Sequence, residues 1–236
     1  MKQLTNFLLI LCMSLASIAC SNDDENNDNP PITGNEMYDI VTFVGNPQSN
    51  NSNSVFQFQK EDDSRLTTLR ATDRALDTTT VKIGTRLLLS YIPENGTHNI
   101  DDNIAVKGYS VVFNDSIRTG DKNKLPDWDF NPIFVYAIWR SGTYINIHCG
   151  LSYSYEPSGF ILLIDAKTID NPMPDVYLSY KKGDDRESYN KDFYASIDIS
   201  NLWNRSTCNG FTLHVNDSNF GNNEIEFKKI TLTPIQ

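Results

Sequence analysis

Cys20 carries the most specific chemistry in the chain. It ends the run Ser17-Ile18-Ala19-Cys20 and precedes Ser21-Asn22-Asp23-Asp24-Glu25. A cysteine at the end of a secretory leader is a lipid attachment site, and it becomes the first residue of the processed chain. The other nucleophiles and ligands are scattered. Cys149 falls on the apolar side of an alternating segment and Cys208 in a turn, so they read either as a disulfide or as two isolated thiols. Asp127-Trp128-Asp129, Asp101-Asp102 and Asp184-Asp185 are neighbouring acids in loop-like sequence, where side chains point apart into water. His98, His148 and His214 have no third ligand at a metal-binding spacing. No zincin, P-loop, nucleophile-elbow or dinucleotide pattern occurs. No catalytic residue, cofactor or metal is therefore expected.

Lys2 gives the leader a positive start, and Phe7 to Ala19 supply its apolar stretch. A spanning helix needs ~20 apolar residues, so this segment reads as a signal peptide. With Cys20 next, the motif resembles a bacterial lipobox, although Ser17 stands where Leu is commonest. The alternative is an ordinary signal peptide that ends near a cysteine. Asp23, Asp24, Glu25 and Asp28 follow, with no base before Lys60. Residues 21–29 are mostly Asn and Asp, and Pro30-Pro31 comes after them. Such a stretch cannot bury apolar surface and is expected to be a disordered tether over 20–35.

The net charge of −10 repels nucleic acid and anionic lipid heads. Arg65, Arg70, Arg74, Lys82 and Arg86 form a local basic excess, which reads as surface charge or, less simply, as an anion site. Sugars stack on exposed rings, so Trp128, Tyr144 (with Asn146), Trp139 and Trp203 are candidate ligand contacts; the alternative is that they plug cores and turns. The expected partners are the outer membrane, through the lipid, and either a glycan or another envelope protein.

These residues must be positioned by strands. Met37–Val44, Ser54–Lys60, Leu66–Ala71, Thr85–Ile92 and Ile104–Phe113 alternate as half-buried strands do, with a short helix predicted over Thr72–Thr80. The apolar phase slips at Gly108, which predicts a bulge. Five strands with a helix or loop in that gap match an OB-like barrel over 36–114. Residues 115–131 lack a period and read as a connector. Seven further segments over 132–236 alternate between turn signals: Ile133–Trp139, Thr143–Tyr153, Phe160–Ala166, Asp175–Lys181, Phe193–Ser200, Phe211–Asn216 and Glu224–Leu232. They predict a β-sandwich, with a second bulge at Lys228-Lys229. The fold class is all-β.

Asn131-Pro132-Ile133, Trp139-Arg140-Ser141-Gly142-Thr143-Tyr144-Ile145-Asn146, Val176-Tyr177-Leu178, Phe193–Ile199 before Leu202, and Phe211–Asp217 together carry a family resemblance. The organisation resembles the NigD-like lipoproteins of Bacteroidetes, which pair an N-terminal OB domain with a C-terminal β-sandwich. The resemblance implies no established activity and no catalytic residue; the family is named for its association with a bacteriocin gene cluster. The acidic run behind Cys20 resembles the surface-export signal of such lipoproteins. Asp77-Thr78-Thr79 and Asp115-Ser116-Ile117 look like their O-glycosylation motif, with Thr78 and Ser116 as acceptors in predicted loops. The expectation is an outward-facing, lipid-anchored binding or interaction module. Its alternatives are a glycan-binding accessory protein of a polysaccharide-uptake system and a bacteriocin-associated immunity or envelope-protection protein.

Overall fold

Alternating apolar residues close the first five strands on themselves. The computed structural model describes residues 36–46, 53–59, 65–96, 101–124, 129–153, 159–182 and 189–229. Cys20, its tether and Trp128 lie outside them. The strands are β1 (Met37–Gly45), β2 (Val55–Phe58), β3 (Thr67–Ala71), β4 (Arg86–Pro93) and β5 (Asp102–Val111). Val41 and Phe43, Phe56 and Phe58, Leu69 and Ala71, Leu87, Leu89 and Tyr91, and Ile104 and Val106 share one core. The order is β1-β2-β3-β5-β4, closed through β1 and β4, with β3 and β5 parallel. This is the five-stranded OB-like barrel expected, and closure leaves it no free edge. Ser90 faces Gly108 and Tyr91 faces Val106, so Lys107 is the extra residue of a bulge beside the glycine.

Thr72–Thr80 is not a helix. The Asp77 carboxylate accepts from the Thr79 N–H and from the Thr79 and Thr80 hydroxyls, and the Ser54 hydroxyl accepts the Leu76 N–H at 2.7 Å. Side chains therefore take up backbone groups that a helix would pair. Leu76 and Val81 are buried in the barrel core as a plug.

The second body is a sandwich. One sheet holds β6 (Phe113–Ser116), β12 (Tyr189–Asp198), β9 (Tyr144–Tyr153) and β8 (Phe134–Ser141), in that order. The other holds β14 (Gly221–Lys228), β13 (Gly210–Asp217), β11 (Asp175–Lys181), β10 (Gly159–Asp165) and β7 (Arg118–Gly120). A single short α-helix among the described residues, α1 (Ser200–Trp203), follows β12. Within the segment 115–131, which the sequence reads as a connector, residues 115–116 and 118–120 lie in sheet-edge strands. Residues 113–116 run parallel to β12 in one sheet, and 118–120 run parallel to β10 in the other. The chain changes sheets across buried Ile117. Both strands are short sheet edges, so they carry charge rather than a long apolar alternation. The last strand ends at Lys228, and the bulge expected at Lys228-Lys229 falls at the limit of the described residues.

Cys149 and Cys208 are both buried and both free, so the disulfide considered from the sequence is not formed in this structure. Cys149 faces Phe193 on β12, five residues from the Asp198–Tyr144 pair at which α1 begins. That is about 16 Å along the strand. Cys208 stays with α1: its N–H donates to Arg205 O, and its thiol donates to Gly210 O at 3.2 Å. Among the described residues no helix is long and apolar enough to cross a membrane.

Candidate functional site

The outer face of the four-stranded sheet does two jobs. Ile145, Ile147, Cys149 and Leu151 of β9 point into the sandwich core, so Tyr144, Asn146, His148, Gly150 and Ser152 point outward. Tyr144 and Asn146 lie beneath the barrel. Arg86, at the start of β4, is 1% exposed and reaches across to them. Its Nε donates to Ser196 Oγ at 2.9 Å and its Nη1 to Thr42 Oγ1 at 2.9 Å. Its Nη2 donates to Ile40 O at 3.2 Å and to Asn146 Oδ1 at 3.3 Å. The guanidinium carbon sits 4.2 Å from the Tyr144 ring centroid. Burial pushes the Arg86 pKa down to about 10, with Tyr144 and Asp198 pulling the other way, so the group is charged at neutral pH. Arg86, Gln59, Gly142 and Tyr144 also line a crevice of about 210 Å³ between barrel and sandwich.

The free half of the same face carries a row of rings. Tyr194 on β12 stacks on His148 at 4.1 Å and 11°, and His148 meets Tyr136 at 4.5 Å. Tyr136 in turn meets Phe134 at 4.9 Å. The register skips Tyr136 between Val135 and Ala137, so a bulge turns that side chain outward. Asp192 lies 3.6 Å from His148 Nε2. Desolvation first, then Asp192, raises the Tyr136 and Tyr194 hydroxyls above their ordinary pKa, so both remain donors at neutral pH. Phe134 and Tyr136 are 44% and 52% exposed. They form one wall of a cavity of about 390 Å³, which Asn131, Pro132, Gly150, Ser152, Tyr180, Lys182 and Ser218 complete. Gly150 and Ser152 are six and eight residues along β9 from Tyr144, so this cavity lies at the end away from the barrel.

The residues singled out from the sequence mostly lie elsewhere. Tyr144 is half-buried under Arg86. Trp203 is 6% exposed, with Arg140 4.3 Å over its ring and Phe211 edge-on at 6.1 Å, and is a core plug. Trp128 and Cys20 fall outside the described residues. Thr78 is exposed in a turn; Ser116 is exposed too, but it closes strand β6 rather than sitting in a loop. His148 and His214 are on different sheets. His214 Nε2 is 2.8 Å from Asp175 and its Nδ1 3.3 Å from Glu224. Among the described residues no cluster of His, Cys, Asp and Glu could hold a metal ion. Asp129 caps its own turn by accepting from the Phe130 N–H and from Asn131 Nδ2. Of the five bases, Arg86 is in the interior and Arg65 pairs with Asp101 at 3.4 Å. Sequence reasoning missed Phe134, Tyr136 and Tyr194. The available signal was an aromatic residue on the polar phase of adjacent strands; the bulge at Tyr136 hid part of it.

Residues 118–229 match the NigD-like C-terminal beta sandwich domain, beginning at the first residue of β7. No curated protein matches the chain. A Bacteroides vulgatus ATCC 8482 protein of unknown function has a similar fold, with a TM-score of 0.66 at 16% identity over 84% of this chain and 92% of that one. A candidate lipoprotein of Bacteroides fragilis NCTC 9343 gives 0.55 at 12% identity, over 84% and 100%. A NigD-like immunity protein of Bacteroides caccae ATCC 43185 gives 0.51 at 14% identity, over 82% and 92%. At these identities the likeness is one of fold. Residues 118–229, behind a five-stranded barrel, are a NigD-like C-terminal β-sandwich domain.

Proposed function

We propose that this chain is a lipid-anchored, surface-exposed outer-membrane protein acting as a non-enzymatic binding module. The observation that carries the binding role is the cavity at the sandwich end, walled by two exposed rings that pack on each other and on His148. Adjoining exposed rings that wall a cavity with a polar rim mark an interaction surface, as a singly exposed ring does not. The lipobox-like Cys20 and its acidic tether support the address, as do relatives of the same fold from Bacteroides.

The anchor is tested by labelling cells with an alkynyl fatty acid. Label is expected on the wild-type chain and not on Cys20→Ala. External protease should remove the wild-type protein from intact cells, and a variant with Asp23, Asp24, Glu25 and Asp28 changed to Asn or Gln should be labelled but protected. An unlabelled or fully protected wild-type protein overturns the location. Turnover of a glycan, peptide or ester that a single carboxylate or Ser substitution abolishes overturns the non-enzymatic reading. The name of the Bacteroides caccae relative favours a second reading, protection of the envelope against a bacteriocin. A deletion strain with unchanged bacteriocin sensitivity removes it.

A further inference from the structure

We propose that the cavity at the free end of the sandwich binds a neutral oligosaccharide, one ring of which packs on Phe134 and Tyr136. This rests on the binding-module reading and names its ligand class. A volume of about 390 Å³ lies within the ~300–1,000 Å³ of small-molecule sites. The wall is preorganised. Phe134 leans on Tyr136, Tyr136 on His148 and His148 on Tyr194, so the two rings are ordered before a ligand arrives. Gly150 keeps the floor low: a Cβ there would already touch Phe134 Cβ and Tyr136 Oη, each at 3.4 Å.

The rim decides the chemistry. Asn131, Ser152, Lys182 and Ser218 surround the rings with an amide, two hydroxyls and an ammonium. A pyranose has an apolar C–H face, which suits the electron-rich face of an aromatic ring, and a belt of hydroxyls, which suits such a rim. A purely apolar anchor, such as a leucine or proline of a partner, would desolvate the rim and return no hydrogen bonds. Among the described residues Lys182 is the one charged group of the lining, so the rim offers a long anionic polymer a single cation within a chain of net charge −10. His148 and Asp192 act as positioning groups, holding Tyr136 rather than touching the sugar.

The test is calorimetric titration of the full mature lipoprotein in detergent. The probes are neutral gluco-, manno-, xylo- and galacto-oligosaccharides of four to six units, with a heparin fragment as the anionic comparison. Binding is expected from at least one neutral series and not from heparin. Tyr136→Ala and Phe134→Ala should each weaken it about tenfold, while Tyr38→Ala, on the exposed face of the barrel, should leave it unchanged. Equal urea midpoints for these variants exclude unfolding as the cause. Neutral sugars that bind Tyr136→Ala as well as wild type overturn the site, and no binding by any neutral series overturns the ligand class. A photo-crosslinking residue replacing Tyr136 on intact cells separates the two readings. A protein adduct overturns the sugar and keeps the binding module, whereas neither adduct nor sugar binding overturns both.

Discussion

Arg86 has no carboxylate within hydrogen-bond reach among the partners described above, so its charge is stabilised by two hydroxyls, a carbonyl, an amide and a ring. Removing it takes a donor from the Ile40 carbonyl and leaves Ser196 Oγ and Asn146 Oδ1 with their bond to each other at 2.8 Å. Arg86→Ala should therefore cost about 2–4 kcal/mol in urea unfolding. Arg86→Lys should also lose stability, because a point charge cannot reach both Ser196 and Thr42 as the fork does. Arg86→Met should cost less than Ala, since it keeps the volume and removes the desolvation penalty. An Arg86→Met loss equal to that of Ala would show that the lost hydrogen bonds, not the lost volume, set the cost. Cys149 gives a pH-dependent counterpart. Burial, and to a smaller extent Asp192, pushes its thiol up to about 12 from 9.0. The native state keeps a proton that the unfolded chain releases above pH 9. Its contribution is complete below pH 9 and lost as pH rises toward 12, at up to about 1.4 kcal/mol per pH unit. Comparing urea midpoints at pH 8 and pH 10.5 should show a steeper fall for wild type than for Cys149→Ala. Equal slopes would mean that the thiol titrates alike in both states.

The β13–β14 hairpin shows how an element depends on one backbone position. Gly210 has φ +151, and a Cβ there would lie 2.1 Å from the Phe227 carbonyl oxygen, so any side chain must push the two strands apart. Gly221, at the other end of the same pair, has φ +74 with open space around it. Gly210→Ala should cost about 2–4 kcal/mol and Gly221→Ala only the ~1–2 kcal/mol of left-handed strain. Similar losses at both would mean that strain, not the clash, sets the cost. Neither role was legible in the chain itself. What was legible is the period: Phe56 and Phe58, Ile145 to Leu151, and Phe193 to Ile199 alternate because one face of each strand is buried. Gly108 marked its bulge because a phase slip is local. Thr72–Thr80 misled because Asp77 and Ser54 capture backbone groups from outside any helical pattern. The two short strands after Val112 were invisible because their parallel partners are some 45 and 80 residues away. The ring row was half visible, on the polar phases of β9 and β12. Its assembly into a wall needed the register and the bulge at Tyr136.

At the scale of the molecule, one sheet face explains both the arrangement of the parts and the site. Its half near Tyr144 is dried by the barrel, and its half near Gly150 stays open to form the cavity wall. Among the described residues, the barrel is held on this face by Arg86 on Ser196 and Asn146 and by the Ser141 hydroxyl on the Gln59 carbonyl. Val112 leads directly into β6, so unfolding of the barrel pulls on an edge strand of the sandwich. Barrel and sandwich should therefore unfold together. Hydrogen exchange of peptides from β9 to β13 reports the sandwich. Hydrogen exchange of peptides from β1 to β5 reports the barrel. In urea the two signals should share a midpoint in the wild-type chain, because either side loses the burial and hydrogen bonds of the seam once the other departs. In Arg86→Ala the seam has already lost its fork, and the barrel should open at lower urea than the sandwich. Separate midpoints in the wild type would mean that the barrel is a folding unit of its own, and that Arg86 orients it without stabilising it.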